Sequence, residues 1–167
     1  ATGTVHQTLA LTPQRTLTDS VAYEVVSHLE LRPGRYEVRA AVEDARLGRS
    51  GSVYTYVDVP DFRQAALGMS GALVEATPAR ASAPPAALSE LVSFVPTARR
   101  AFAGTDKVTA FVRIYQGLGR AVTPGYVVAQ IVNDRDVPVF SRESRILPEQ
   151  FGAGRALDHY VELPLER

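Results

Sequence analysis

The stretch that most restricts what this chain can become is Leu29-Glu30-Leu31-Arg32-Pro33-Gly34-Arg35-Tyr36-Glu37-Val38-Arg39-Ala40-Ala41-Val42. It reads as the end of one β-strand, a tight corner and the start of the next strand. Proline holds φ near about −65° and glycine tolerates a left-handed backbone, so Pro33 and Gly34 let the chain reverse. Beyond the corner Tyr36, Val38, Ala40 and Val42 alternate with Arg35, Glu37, Arg39 and Glu43. Side chains on a strand point to opposite faces in turn, so this pattern gives one apolar and one wet face.

The rest of the chain repeats this grammar of short alternating runs between turn residues. Strands are expected at Val5–Thr12, Val21–Leu31, Tyr36–Glu43 and Ser52–Val59, with a polar turn at 13–20 and a hairpin loop at 44–51. A junction at 61–66 leads to a short strand around Gly71–Glu75. The loop 78–87 is rich in proline and alanine and is expected to be exposed and protease-sensitive. Leu91–Phe94 leans towards strand. Lys107–Gln116 is the clearest strand of the second half, with Val108, Ala110, Val112 and Ile114 on one face and Thr109, Phe111, Arg113 and Tyr115 on the other. Gly125–Asn133 and Val137–Ile146 pair across Asp134-Arg135-Asp136, and Ala156–Leu165 closes the chain. No helix-period run stands out, so the class is all-β. The tyrosine after the corner sits where immunoglobulin-like or fibronectin-III-like sandwiches place one. Tyr36 is therefore expected to be largely buried, with its hydroxyl bonded to a backbone group near residues 29–33.

Leu29-Glu30-Leu31-Arg32-Pro33 is echoed by Val161-Glu162-Leu163-Pro164-Leu165. Two organisations fit. Residues 1–62 hold the later strands of one immunoglobulin-like unit with its tyrosine corner, and 63–167 form a second unit with the 78–87 loop. Alternatively all strands build one composite sandwich. In either case Phe111 and Tyr115, with Tyr126 of the following strand, lie opposite the aliphatic residues and need a cover, and a strand of 1–60 is expected to pair outside its own half.

Composition narrows function. Among 167 residues there are 18 basic and 18 acidic groups, so neither a nucleic-acid-binding surface nor an acidic tail is indicated. Cysteine is absent, which removes disulfides, thiolate metal sites and cysteine catalysis. No apolar run is long enough for a membrane-spanning helix. Around Ser50 and Ser70 the glycines miss the spacing of a nucleophile elbow. His6, His28 and His159 stand singly, without metal-ligand spacing. Neither a catalytic residue nor a cofactor is assigned. Asp134 and Asp136 offer oxygens to calcium, as do Asp58 and Asp61 more weakly, but Asn and Asp are also the ordinary residues of a hairpin turn. Tyr54 and Tyr56, or Phe111, Tyr115 and Tyr126, offer an aromatic face. With no tryptophan in the chain, packing against another protein domain is a better use for it than stacking on sugar.

The stretches LRPGRYEVRAAVEDARLGRSGSVYTYVDVPDF (31–62) and VPTARRAFAGTDKVTAFVRIYQG (95–117) resemble the accessory β-domains of bacterial VWFA-related domain proteins of the type found in Acidobacteria. The likeness covers roughly residues 20–165. The DxSxS metal motif of a von Willebrand A domain has no counterpart here, so nothing of that metal site carries over. The resemblance implies export, to the periplasm or the cell exterior, and an accessory immunoglobulin-like module without catalytic residues. The expected role is a non-catalytic interaction or spacer module, contacting other domains of its own chain or another chain, in part by strand addition. The rival readings are a carbohydrate-binding module and an accessory domain of a hydrolase.

Overall fold

β-branched and aromatic residues, interrupted by glycine, proline and Asx turns, produce ten strands and no α-helix among the described residues. The computed structural model describes residues 3–4, 8, 24–44, 48–79, 82–83 and 88–165. The strand expected at Val5–Thr12, the turn at 13–20, the hairpin tip at 45–47 and residues 80–81 and 84–87 of the Pro/Ala loop lie outside them. The strands are β1 (Glu24–Val25), β2 (Gly34–Asp44), β3 (Arg49–Val59), β4 (Gly68–Met69), β5 (Leu73–Thr77), β6 (Ser82–Ala83), β7 (Lys107–Tyr115), β8 (Gly125–Val132), β9 (Pro138–Ile146) and β10 (Ala156–Leu163). One 3₁₀ turn, Pro148–Gln150, precedes β10.

β7 is the organising strand. β10 pairs antiparallel along one edge, from Ala156 opposite Tyr115 to Leu163 opposite Val108. β5 and β4 share the other edge, Leu73 opposite Phe111 and Gly68 opposite Tyr115. Residues directly opposite in such a ladder share a face. One face therefore carries Val108, Ala110, Val112 and Ile114 with Ala76, Val161 and His159. The other carries Phe111, Arg113 and Tyr115 with Tyr160, Asp158 and Leu73.

Both faces are covered by the chain itself. Val108 is 1 % exposed and Ile114 is likewise buried on the first face, while Phe111 is 3 % exposed on the second. The antiparallel hairpin β8–β9 turns Val127, Ala129 and Ile131 inward, buries Ile146 and brings the charge of Arg142 to His159 on the first face. Over the second face runs the segment 88–94. The Phe94 ring packs edge-on to Phe111 at 5.5 Å and to Tyr160 at 6.1 Å, and Phe111 and Tyr160 stand 5.1 Å apart. Arg113 forks onto Asp158, its Nη2 2.9 Å from Oδ2, and the same nitrogen donates to the Leu91 carbonyl at 3.0 Å. An antiparallel sheet with packed layers on both faces is consistent with a β-sandwich.

Several expectations change. Leu91–Phe94 is not a strand: the Leu91 and Val92 amides both bond to the Leu88 carbonyl, forming a turn that aims Val92 and Phe94 at the sheet. The short strand lies at Leu73–Thr77 rather than around Gly71–Glu75. The expected strand Val21–Leu31 ends, among the described residues, at Val25. β2 and β3 run further than expected, so the hairpin loop shrinks to the residues between Asp44 and Arg49. Part of the Pro/Ala loop is ordered pairing: Ser82 and Ala83 of β6 lie parallel to Glu24 and Val25 of β1. This joins the early and late parts of the chain. The Glu24 carboxylate strengthens the junction by accepting from the Thr97 hydroxyl at 2.7 Å and the Ala98 amide at 3.2 Å.

The linker after β3 is tied to the same sheet. Asp61 turns the chain by accepting the Gln64 and Ala65 amides at 3.2 Å, and Phe62 stacks on Tyr115 at 4.3 Å. The Gly117 and Leu118 amides then donate back to the Ala65 and Arg63 carbonyls at 2.9 Å. Buried Gln116 closes the following loop with both ends of its amide, Nε2 to the Thr123 carbonyl at 2.7 Å and Oε1 from the Thr123 amide at 2.9 Å.

Candidate interaction surface

This packing leaves the ribbon β2–β3 uncovered, along with the outer face of β8 at Tyr126, Val128 and Val132. The ribbon's two strands pair along their whole length, Gly34 opposite Val59 through to Asp44 opposite Arg49, and no other described strand joins them. A two-stranded hairpin alone is marginal in water, because neither face is covered and each edge leaves amides and carbonyls unpaired. The buried hydrophobic residues among those described fall between Ala76 and Val161, and none lies on this ribbon.

Register decides what each face offers. Tyr36, Val38, Ala40 and Val42 share a face with Val59, Val57, Thr55 and Val53. It is half-covered near the corner, at Tyr36, Val38 and Val59, and open towards the tip, where Val42 is 70 % and Val53 71 % exposed. The opposite face carries Arg35, Glu37, Arg39 and Glu43 with Asp58, Tyr56 and Tyr54. Its groups satisfy one another. Tyr54 and Tyr56 meet edge to face at 6.3 Å, Arg35 lies 5.5 Å from the Tyr56 ring centre, and Arg35 Nε is 3.8 Å from Asp58. Arg39 donates to Glu37, and this bond, followed by one from Tyr56, holds the Glu37 carboxyl below the usual carboxylate range.

At the corner, the Tyr36 hydroxyl donates to the Arg32 carbonyl at 3.0 Å. Gly34 sits at φ +150°, a conformation disfavoured for residues with a Cβ. Pro33 precedes it on the surface. Tyr36 is half-buried rather than deeply buried, because the ribbon face it belongs to is only partly covered.

The five aromatic candidates do not form one patch. Phe111 is core, Tyr115 is half-buried against Phe62, and Tyr126 is 62 % exposed on the outer face of β8. Tyr54 and Tyr56 are exposed on the charged face of the ribbon. Asp134 and Asp136 sit in the β8–β9 turn. The side-chain oxygen of Asn133 beside them is already occupied by the Arg135 and Val137 amides at 2.9 and 3.0 Å, and Asp136 adopts φ +56°. Asp61 caps its own turn through the Arg63 amide at 3.0 Å. Among the described residues no three His, Cys, Asp or Glu side chains gather at one point, and no helix is long and apolar enough to cross a membrane. His159 stands on the first face of the β7 sheet, where burial, then the charge of Arg142 on β9, hold its imidazole below the usual range. A shallow open cleft of about 270 Å³ lies beside the Phe62–Tyr115 stack, lined also by Arg63, Gln116 and Arg155.

Sequence reasoning favoured the tyrosines of β3 and passed over Val42 and Val53 on the apolar face opposite them. The alternation that identified the face correctly carries no information on whether that face is covered. Compared with known proteins, the chain matches no family model, no curated protein and no solved structure.

Proposed function

We propose that the chain is a non-catalytic, immunoglobulin-like β-sandwich module of an exported bacterial protein, and that it works as an interaction or spacer unit through the ribbon β2–β3. The observation that carries this reading is the apolar face of that ribbon, open at Val42 and Val53 while the rest of the molecule covers both faces of its central sheet with its own segments. Contiguous exposed apolar surface on a folded domain is characteristic of contact sites. The bond from Tyr36 back to Arg32 supports the immunoglobulin-like part of the reading, since it reproduces the tyrosine-corner geometry of that architecture. The bacterial and exported part rests on the resemblance of residues 31–62 and 95–117 to accessory β-domains of VWFA-related domain proteins.

Hydrogen exchange tests it. In dilute solution of the isolated chain, the β2 and β3 amides are expected to exchange faster than those of β7. They are expected to gain protection when the chain is concentrated or expressed together with its neighbouring domains. Unchanged exchange in β2–β3 under both conditions overturns the reading.

A further inference from the structure

We propose that two copies of this chain associate through the outer edge of β2, antiparallel and centred on Val38, to make a four-stranded sheet β3–β2–β2–β3. The proposal rests on the reading of β2–β3 as a contact surface and names its partner. Among the described residues no strand pairs with the outer edge of β2, and the stretch Gly34–Val42 offers there a row of peptide groups of the kind that takes strand addition. A hairpin that is marginal as two strands gains from becoming part of four.

Charge selects the second copy and the register. A two-fold axis normal to the sheet is the only one that relates antiparallel neighbours, so residues of the same parity face each other. Three such registers keep most of β2 overlapped, centred on Val38, Arg39 or Ala40. Centring on Arg39 sets Arg35 against Glu43 on either side but puts Arg39 against itself on the axis, a like-charge pair that the Val38 register does not have. With the centre on Ala40, Glu37 faces Glu43 of the other copy. Only the Val38 register places Glu37 opposite Arg39 of the second copy, and Arg39 opposite its Glu37. Like charges directly opposite destabilise a ladder and opposite charges support it. On the other face of the same register Val38 meets Val38 and Tyr36 meets Ala40, so the half-covered apolar surface continues across the axis. Arg39 is exposed and Glu37 partly so, the two already aligned side by side, and pairing adds a second partner to each without burying either alone. The edge of β3 makes no comparable selection, because its two charges, Arg49 and Asp58, differ in parity and cannot face each other across such an axis.

Two variants and one cross-link decide it. Glu37→Arg sets Arg against Arg across the axis, and Arg39→Glu sets Glu against Glu. Each variant alone is expected to sediment as a monomer at concentrations where the natural chain sediments as a dimer, with its melting curve still cooperative. Mixing the two is expected to restore the dimer, because each then presents the charge the other lacks, while the like-charged pair within each chain is unchanged. Since the chain has no cysteine, Val38→Cys provides an independent readout: it is expected to form a disulfide-linked dimer on mild oxidation, and Val53→Cys much less. A natural chain that stays monomeric at high concentration overturns self-pairing. If its β2–β3 amides still gain protection beside neighbouring domains, the interaction reading survives; if they do not, both fail. A dimer insensitive to the charge variants and not linked through Val38→Cys overturns the edge and register, and places the contact on another face.

Discussion

Gly117 shows how much a single residue can be held by backbone alone. A Cβ built there would lie 2.8 Å from the Arg63 carbonyl oxygen and closer still to that of Ala65. Neither oxygen is free to yield, since both accept bonds from this same turn. Gly117→Ala is expected to cost about 1–3 kcal/mol, the range for overpacking a tight site. Gly51, with nothing within 4 Å of its Cβ position, is the control, and Gly51→Ala is expected to be neutral or slightly stabilising by denaturant unfolding. Tyr36 makes the opposite case. Its bond to Arg32 is exposed to water, which can replace the lost donor, so Tyr36→Phe is expected to cost only about 0.5–1 kcal/mol. A larger loss would mean that the corner is more deeply covered than its half-buried ring indicates.

Among the elements, β7 explains why alternation in a sequence underdetermines a core. An antiparallel strand with one wet face is the common case, and reading Lys107–Gln116 that way leaves Phe111 and Tyr115 in need of a partner. Because β7 is an inner strand with layers on both sides, both of its residue sets are internal. Phe111→Ala is expected to cost about 3–5 kcal/mol, as for a buried aromatic whose cavity cannot collapse. Tyr126→Ala, on the open outer face of β8, is expected to change stability by about 0.5 kcal/mol or less. Equal effects at the two positions, measured by thermal or chemical unfolding, would contradict the placement of the 88–94 segment over the sheet. The cover itself left little trace in the sequence, since Leu88, Leu91, Val92 and Phe94 have no strand period and their role depends on what lies beneath them.

For the whole molecule, the electrostatics give stability a direction in pH. Asp106 accepts from the Ala103 amide at 3.0 Å and from Arg99 at 2.6 Å, and Asp158 accepts from Arg113; these bonds hold both carboxyls below their usual range. A carboxylate depressed in the folded state contributes fully above its unfolded pKa, about 4, and loses that contribution as pH falls through the folded value. His159 is depressed from its ordinary 6.5 for a different reason, burial first and Arg142 second. The unfolded chain then takes up the proton before the folded one does, so stability is lost as pH falls below about 6.5. The melting temperature is expected to decline in two stages on acidification, the first removed by His159→Gln and the second flattened by Asp106→Asn or Asp158→Asn. A melting temperature constant from about pH 7 to 5 in the natural chain would contradict the half-buried position of His159 beside Arg142.

By itself the sequence determined much of the local grammar: the period-two runs of β2, β3, β7, β8, β9 and β10 made strands, while that of 26–31 did not; Pro33-Gly34 and Asn133–Asp136 made turns, and Tyr36 reached back to Arg32 because four residues of corner bring that carbonyl within its span. These outcomes depend on side-chain geometry and on φ restrictions that act over a few residues. Tertiary structure alone decided coverage. It put Phe94 over Phe111 and Arg142 near His159, drew β1 to β6, and left Val42 and Val53 in water. A strand's alternation states which residues share a face; whether water or another segment meets that face is settled by residues far along the chain, through burial that has no local signature.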